Sequence, residues 1–421
     1  MLLKFEKCLD RINFLLKLNG LSLDNDGRNK TMLQRLRKNW WYSIHMVMFN
    51  VQLCGVGAWF FQGLVVDSKP TMTEVTYMIP CIVLCLSGDV KVYCLLRYMH
   101  LVNELINLLR KFLSKAVEVD EELEEETGKW VKLLFTIFKQ LLCLFLIGYL
   151  AFAVGPLLII ATHYYTTGEV KLILPFMVIY PFDEFDIRVW PIVYMFQLWA
   201  AWVAVFSVYG PDGLLFTSCT FIQIQFLVIE NDIKRMVKND ARNSSDTFKK
   251  ELVQLVNTHR ELIRSVELLE SISTLSIFFN LMSSSLVICA AGFNLMIMRN
   301  LTLVAPFSSF LVFGLVQTYF FCNFGDHIMT SSMGVGEAVY NSRWYETGAA
   351  ERKYLLIILL RSRKPCRLTA LSFTDLNLNA FSRVSIRTYY KIKLSPPFVG
   401  LGVRNTLKRV CFSMHFSAVF C

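Results

Sequence analysis

Six separate apolar runs constrain this chain before anything else does. They lie near residues 41–66, 76–97, 133–161, 192–229, 272–297 and 303–325. Crossing a bilayer takes about 20 mostly apolar residues as a helix, because only a helix or a closed barrel satisfies its own backbone hydrogen bonds in hydrocarbon. Each run meets that length, and the fourth is long enough to project beyond the membrane. A weaker seventh run, near 366–386, mixes Ser372, Thr374, Asn377 and Asn379 with leucine and phenylalanine. Those polar groups are costly against lipid but reasonable against partners or water. Charged residues make up 18% of the chain, below the quarter or so usual in soluble domains. The expected fold class is an all-α polytopic membrane protein with seven transmembrane helices.

Lysine and arginine in the connecting segments set the orientation, since cytoplasmic loops carry the excess. The N-terminal arm and the six following connections hold nine, one, six, two, eight, one and six of them. That alternation predicts a cytoplasmic N-terminus and, after seven spans, an extracellular C-terminus. Residues 1–40 lack the short apolar core of a signal peptide, so the first span is expected to direct its own insertion. Phe5, Leu9, Ile12 and Leu16 recur at helical spacing in this arm and predict an interfacial amphipathic helix. On the same side, Leu101, Leu105, Leu108 and Phe112 form a stripe continuing from span two. Leu252, Leu255, His259, Leu262, Val266 and Leu269 form another leading into span five. Both predict helices packed together below the membrane, and His259 reads as a packing histidine.

The same features exclude several functions. A G-protein-coupled receptor has an extracellular N-terminus; here no extracellular loop holds a cysteine, and neither an Asp/Glu-Arg-Tyr nor an Asn-Pro-x-x-Tyr motif occurs. A transporter would show internal repeats with matched broken helices. No catalytic or metal constellation emerges, so no enzyme, cofactor or metal site is expected. Cys81 and Cys85 stand one helical turn apart but inside an apolar span, where packing is the simpler role. Gly334-Val-Gly336 has neither the preceding strand nor the third glycine of a phosphate loop. Asp89 and Lys91 are intramembrane charges, functional candidates by default, though their position favours packing against the helical cytoplasmic core.

Several stretches carry a family resemblance. Ala338-Val339-Tyr340, Trp344-Tyr345, the apolar run from Leu355 to Leu360, Arg361-Ser362 and Phe381 resemble the C-terminal signature of insect odorant receptors. Leu174-Pro-Phe176, Pro181-Phe-Asp183, Trp190-Pro191, Tyr194 and Gln197 are similar to the segment leading into that family's fourth span. The related gustatory receptors, the alternative reading, end in Thr-Tyr, five apolar residues and Gln-Phe; here Thr388-Tyr389 is followed by Tyr-Lys-Ile-Lys. The short 233–271 connection lacks the long insertion of the family's co-receptor, which implies a ligand-tuned subunit.

The resemblance implies a subunit of a ligand-gated, non-selective cation channel, assembled as a hetero-tetramer with the co-receptor in the dendritic plasma membrane of olfactory neurons. Lipid and a small volatile ligand are its other partners; no nucleic acid is expected. It implies a ligand pocket in the outer halves of the spans, for which the candidates are Tyr77, Cys81 and Leu84 of span two, Ile147, Ala151 and Phe152 of span three, Tyr194, Gln197 and Leu198 of span four, and Phe293 and Phe307 of spans five and six. It also implies a pore lined by the last span, here Asn377, Phe381 and Val384. The expected organisation is a cytoplasmic arm (1–40), a six-span region (41–325), cytoplasmic anchor helices (326–365), a truncated seventh span (366–384) and a divergent tail (385–421). Arg387, Lys391 and Lys393 would load the outer half of that last helix with charge, and Val384-Ser385 can be encoded by an intron-start sequence. The tail is therefore expected to be intron read-through rather than the native end.

Overall fold

The computed structural model describes residues 1–19, 21, 23, 37, 40–65, 72–115, 121–239, 245–297 and 301–383. Nearly all of this is helix: α1 (Leu2–Leu18), α2 (Trp40–Val65), α3 (Met72–Arg97), α4 (Met99–Lys115), α5 (Glu121–Thr167), α6 (Trp190–Asn239), α7 (Ser245–Ile297), α8 (Leu301–Asn341) and α9 (Ala349–Ser362). A small antiparallel hairpin follows, β1 (Thr369–Ala370) paired with β2 (Thr374–Asp375). Among the described residues six helices are long and apolar enough to cross a membrane: α2, α3, α5, α6, α7 and α8. They coincide with the six apolar runs.

Helices α5, α6 and α7 contain 47, 50 and 53 residues. At about 1.5 Å per residue each spans some 70–80 Å, more than twice the ~30 Å hydrocarbon layer. Their extensions pack as one bundle around a core that includes the fully buried Phe216, Phe221, Phe226, Phe248, Leu262 and Phe321. Both stripes expected below the membrane are helical. The first belongs to a separate helix: α3 ends at Arg97 and α4 starts at Met99. This break turns the α4 core face to Val102, Leu105, Leu109 and Phe112, leaving Leu101 and Leu108 half-buried. His259 is buried, edge-on to Phe226 at 6.4 Å.

Two expectations are revised. The N-terminal helix forms, but its apolar stripe of Phe5, Leu9, Ile12 and Leu16 is buried in the protein core rather than lying on an interface. Phe5 packs edge-on to Phe221 of α6 at 4.8 Å, and Asn19 donates to the Val203 carbonyl at 3.2 Å and to Ser207 Oγ at 3.1 Å. Arg110 of α4 ties the outer side of α1 through Glu6 at 2.7 Å; hydrogen bonding to Glu6 raises the guanidinium pKa. Burial also raises the Cys8 thiol to about 11, so it stays protonated. Gly210 gives Leu16 room to pack closely, since a Cβ there would lie 2.7 Å from the Leu16 side chain and oblige it to shift.

The second revision concerns the last span. Residues 366–376, expected to begin it, form the hairpin instead, and helix resumes only at 378–383. Of the polar groups read as pore or partner contacts, Thr374 Oγ donates to the Asp375 carbonyl at 3.4 Å and Asn377 Oδ1 accepts from the Ala380 amide at 2.9 Å; the hairpin itself is clamped to α7. Thr274 Oγ of α7 donates to the Thr369 carbonyl and accepts from the Leu371 amide, at 3.0 and 2.8 Å. Thr369 Oγ donates to Glu270 at 2.7 Å. These clamps hold Leu371 and Ser372 at φ 50° and 61°, left-handed values that a non-glycine residue adopts only at a cost.

Candidate functional site

A cavity of about 110 Å³ lies between α3, α5, α6 and α8. Cys81, Leu84 and Cys85 line it from α3, Phe145, Gly148, Tyr149 and Phe152 from α5, Ala201, Ala204, Val205 and Val208 from α6, and Ser309, Phe310 and Phe313 from α8. Each set repeats at three- and four-residue spacing, as one face of a helix must. The volume is somewhat below the ~150 Å³ apolar cavity that admits benzene, so the space is on the scale of a small molecule rather than a large ligand.

Phe176, from the segment between α5 and α6, also lines the cavity. Its ring stacks on Phe152 at 5.4 Å with the planes 13° apart, and Phe152 meets Phe310 at 5.3 Å. The backbone of this segment is held from three sides. Gln197 Oε1 accepts from the Phe176 amide at 2.9 Å while Nε2 donates to the Phe176 carbonyl at 3.1 Å and to the Tyr180 hydroxyl at 3.3 Å. Ile179 donates to the Gly55 carbonyl of α2 at 3.3 Å, and Trp190 Nε1 donates to the Ile173 carbonyl at 3.2 Å. Burial raises the Tyr180 phenol pKa, the Gln197 bond opposes it, and nearby Glu184 adds to the rise; the hydroxyl stays neutral.

Of the residues singled out from sequence, Cys81, Leu84 and Phe152 line this cavity. Ile147 stands 52% exposed on the outer face of α5, and Ala151 is half-buried beside Phe152. Tyr194 is buried and donates to the Ala153 carbonyl at 2.6 Å, joining α6 to α5. Gln197 holds Phe176, and Leu198 is half-buried. Phe307 packs with Ile288, Ala291 and Leu311 in a separate cluster, and Phe293 is half-buried on α7. Asn377 Oδ1 accepts from the Ala380 amide at 2.9 Å, capping the last helical turn. Phe381 is buried against Tyr319 at 5.5 Å, inside the protein's own core. The Tyr77 side chain and Val384 lie outside the described residues.

The sequence candidates and the lining residues differ in a pattern. On α6 the lining residues Ala201, Ala204, Val205 and Val208 continue the face of Tyr194 and Gln197 one to three turns deeper. On α5 the face is that of Phe145, Gly148, Tyr149 and Phe152, which Ile147 does not share. Phe176 was visible in the Leu-Pro-Phe stretch, yet nothing local signals that a loop phenylalanine turns inward.

Below the cavity Lys91 of α3 is buried and its Nζ donates to Asp212 of α6 at 2.7 Å and to Asn280 Oδ1 of α7 at 2.8 Å. Gln317 Nε2 of α8 donates to the same Asp212 oxygen at 2.8 Å, and Phe321 lies 5.2 Å from the ammonium. The pair thus joins four helices, three of which build the cavity. Asp89 makes no part of it.

A family model described as 7tm odorant receptor matches residues 71–389. The chain belongs to the 7tm odorant receptor family. This odorant receptor is 26% identical over 384 residues to Drosophila melanogaster protein 92a, itself described only as a candidate odorant receptor, covering 89% of this chain and 90% of that one. It is 22% identical over 352 residues to odorant receptor 67c of the same species, covering 82% and 84%. Its fold matches that of the insect olfactory receptor OR5 from Machilis hrabei at 15% identity with a TM-score of 0.77, covering 93% of this chain and 98% of that one. In complex with eugenol, OR5 matches at 16% identity with a TM-score of 0.75, over the same shares. The receptor is thus a multi-pass membrane protein of olfaction and not an enzyme.

Proposed function

We propose that this receptor is a ligand-tuned subunit of a non-selective cation channel that detects a small, mostly apolar volatile in the cavity between α3, α5, α6 and α8. The observation that carries the reading is the cavity itself, walled by apolar and aromatic side chains that include Phe176, the lining expected of a site for such a molecule. The neighbour OR5 is seen in complex with eugenol, an aromatic molecule, which agrees with an aromatic-lined site. Partnership with a co-receptor in a hetero-tetramer, a seventh span lining a shared pore and a dendritic plasma-membrane location complete the proposal. Cys81, Leu84 and Phe152 are the ligand contacts from the sequence set; Tyr194 and Gln197 position the walls. Ligand acts by binding the open arrangement better than the closed one.

Odour-evoked current in cells expressing the receptor with and without the co-receptor tests this. Current is expected only with both subunits, and Phe152→Ala, which deletes the ring between Phe176 and Phe310, is expected to shift the preferred ligands toward bulkier ones. No current to any volatile, or identical dose-response curves for Phe152→Ala across a broad panel, would count against it.

Orientation has its own test. The sequons at Asn29, Asn243 and Asn300 lie outside the described residues. With the N-terminus cytoplasmic, the first two never meet the glycosylation machinery and the third sits close to the membrane. Little or no N-glycan is expected; a glycosidase-sensitive mobility shift abolished by Asn29→Gln reverses the orientation.

A further inference from the structure

Behind the α3 wall of the main cavity is a second chamber of about 40 Å³, bounded by Phe49, Gln52 and Val56 of α2, Met78 and Ile82 of α3, and Ala200 of α6. It shares Cys81, Cys85, Phe176 and Ala201 with the main cavity, so the two spaces adjoin at those four residues. Everything lining the chamber is apolar or a thiol except Gln52. This side chain is only 7% exposed, and its buried Oε1 has no hydrogen-bond partner among the described residues. An acceptor left this way is costly, and such groups in folded proteins normally have a partner. The other amide near the ligand space, Gln197, has both ends committed to Phe176 and Tyr180.

We propose that the chamber is a polar subsite in which Gln52 Oε1 accepts a hydrogen bond from the hydroxyl of an alcohol whose apolar body occupies the main cavity. Its volume suits a head group of that size, since one water needs about 10–15 Å³ of such space. Hydrocarbons and ethers of the same length fill the apolar space but leave Oε1 unpaired, which sets alcohols apart by a hydrogen bond rather than by shape. The inference rests on the main cavity being the ligand site.

The test uses the full receptor with its co-receptor and the straight-chain primary alcohols from butanol to octanol, each paired with its isomeric methyl ether. The wild type is expected to respond to at least one alcohol at a concentration about tenfold lower than to its ether, the scale of one net hydrogen bond. In Gln52→Met, which keeps length and removes the acceptor, that ratio is expected to fall toward one with the ether response retained. Should Gln52→Met give no current with any ligand, the ratio is read in Gln52→Ala, with the same two outcomes. A wild type that answers other volatiles without preferring alcohols, a preference that survives loss of Gln52, or one lost instead in Tyr149→Phe overturns the subsite and leaves the channel reading standing. A wild type silent to every volatile overturns that reading, and the subsite falls with it.

Discussion

Lys91→Met is expected to destabilise the receptor by about 3–5 kcal/mol, the cost of leaving one member of a buried ion pair alone. Nζ of Lys91 has no exposure in its side chain and sits 2.7 Å from an Asp212 oxygen. Without it, Asp212 keeps the Gln317 amide as a donor, and the carboxylate stays buried at the four-helix junction. The double change Lys91→Met with Asp212→Leu is expected to recover most of the loss, because replacing both partners with apolar groups of similar size removes the desolvation cost along with the attraction. Lys111 and Glu261 make the comparison pair: their side chains are 47% and 34% exposed at 2.9 Å, so Lys111→Met should cost no more than about 1 kcal/mol. Thermal unfolding of detergent-solubilised receptor, followed by fluorescence-detected size exclusion, ranks the variants. If Lys91→Met melts alongside Lys111→Met, or the double variant is worse than the single, the pair is not the junction's support.

Gly325→Ala should also carry a large effect for so small a change. An added Cβ on α8 would collide with the Leu376 carbonyl oxygen and lie 2.9 Å from the Leu376 side chain. The carbonyl is backbone and has no rotamer to escape into; its neighbouring amide is bonded to the Leu368 carbonyl at 2.8 Å. Either α8 or the strand leading into the final helix must move, at about 1–3 kcal/mol by the measure of overpacked interiors. Since that strand delivers the proposed pore helix, channel current is expected to fall more than surface expression does. Gly128→Ala on α5 is the control, with nothing within 4 Å of its added Cβ. It should stabilise by about 0.5–1 kcal/mol through helix propensity alone. Equal currents for the two variants would show that the Gly325 contact yields without consequence.

Hydropathy determined the membrane class, the six apolar spans and the projection of long helices beyond the bilayer, because each residue's preference for lipid or water acts locally and sums along a helix. Periodicity located the buried faces of α1 and of the extension of α7, where polar and apolar residues alternate. It failed inside the membrane for the same reason: α5 and α6 are apolar on every side, so nothing in their spacing says which face meets the cavity or how deep it lies. The α6 candidates stand one to three turns from the residues that line the cavity, and Ile147 lies off the lined face of α5. Lys91 was legible as an unusual charge, but its partner lies 121 residues away, and only packing brings Asp212 and Asn280 to it. The choice between two glutamines was decided the same way. Gln197 and Gln52 are equivalent as letters; the folded chain uses up the first on Phe176 and leaves the second buried with an acceptor to spare.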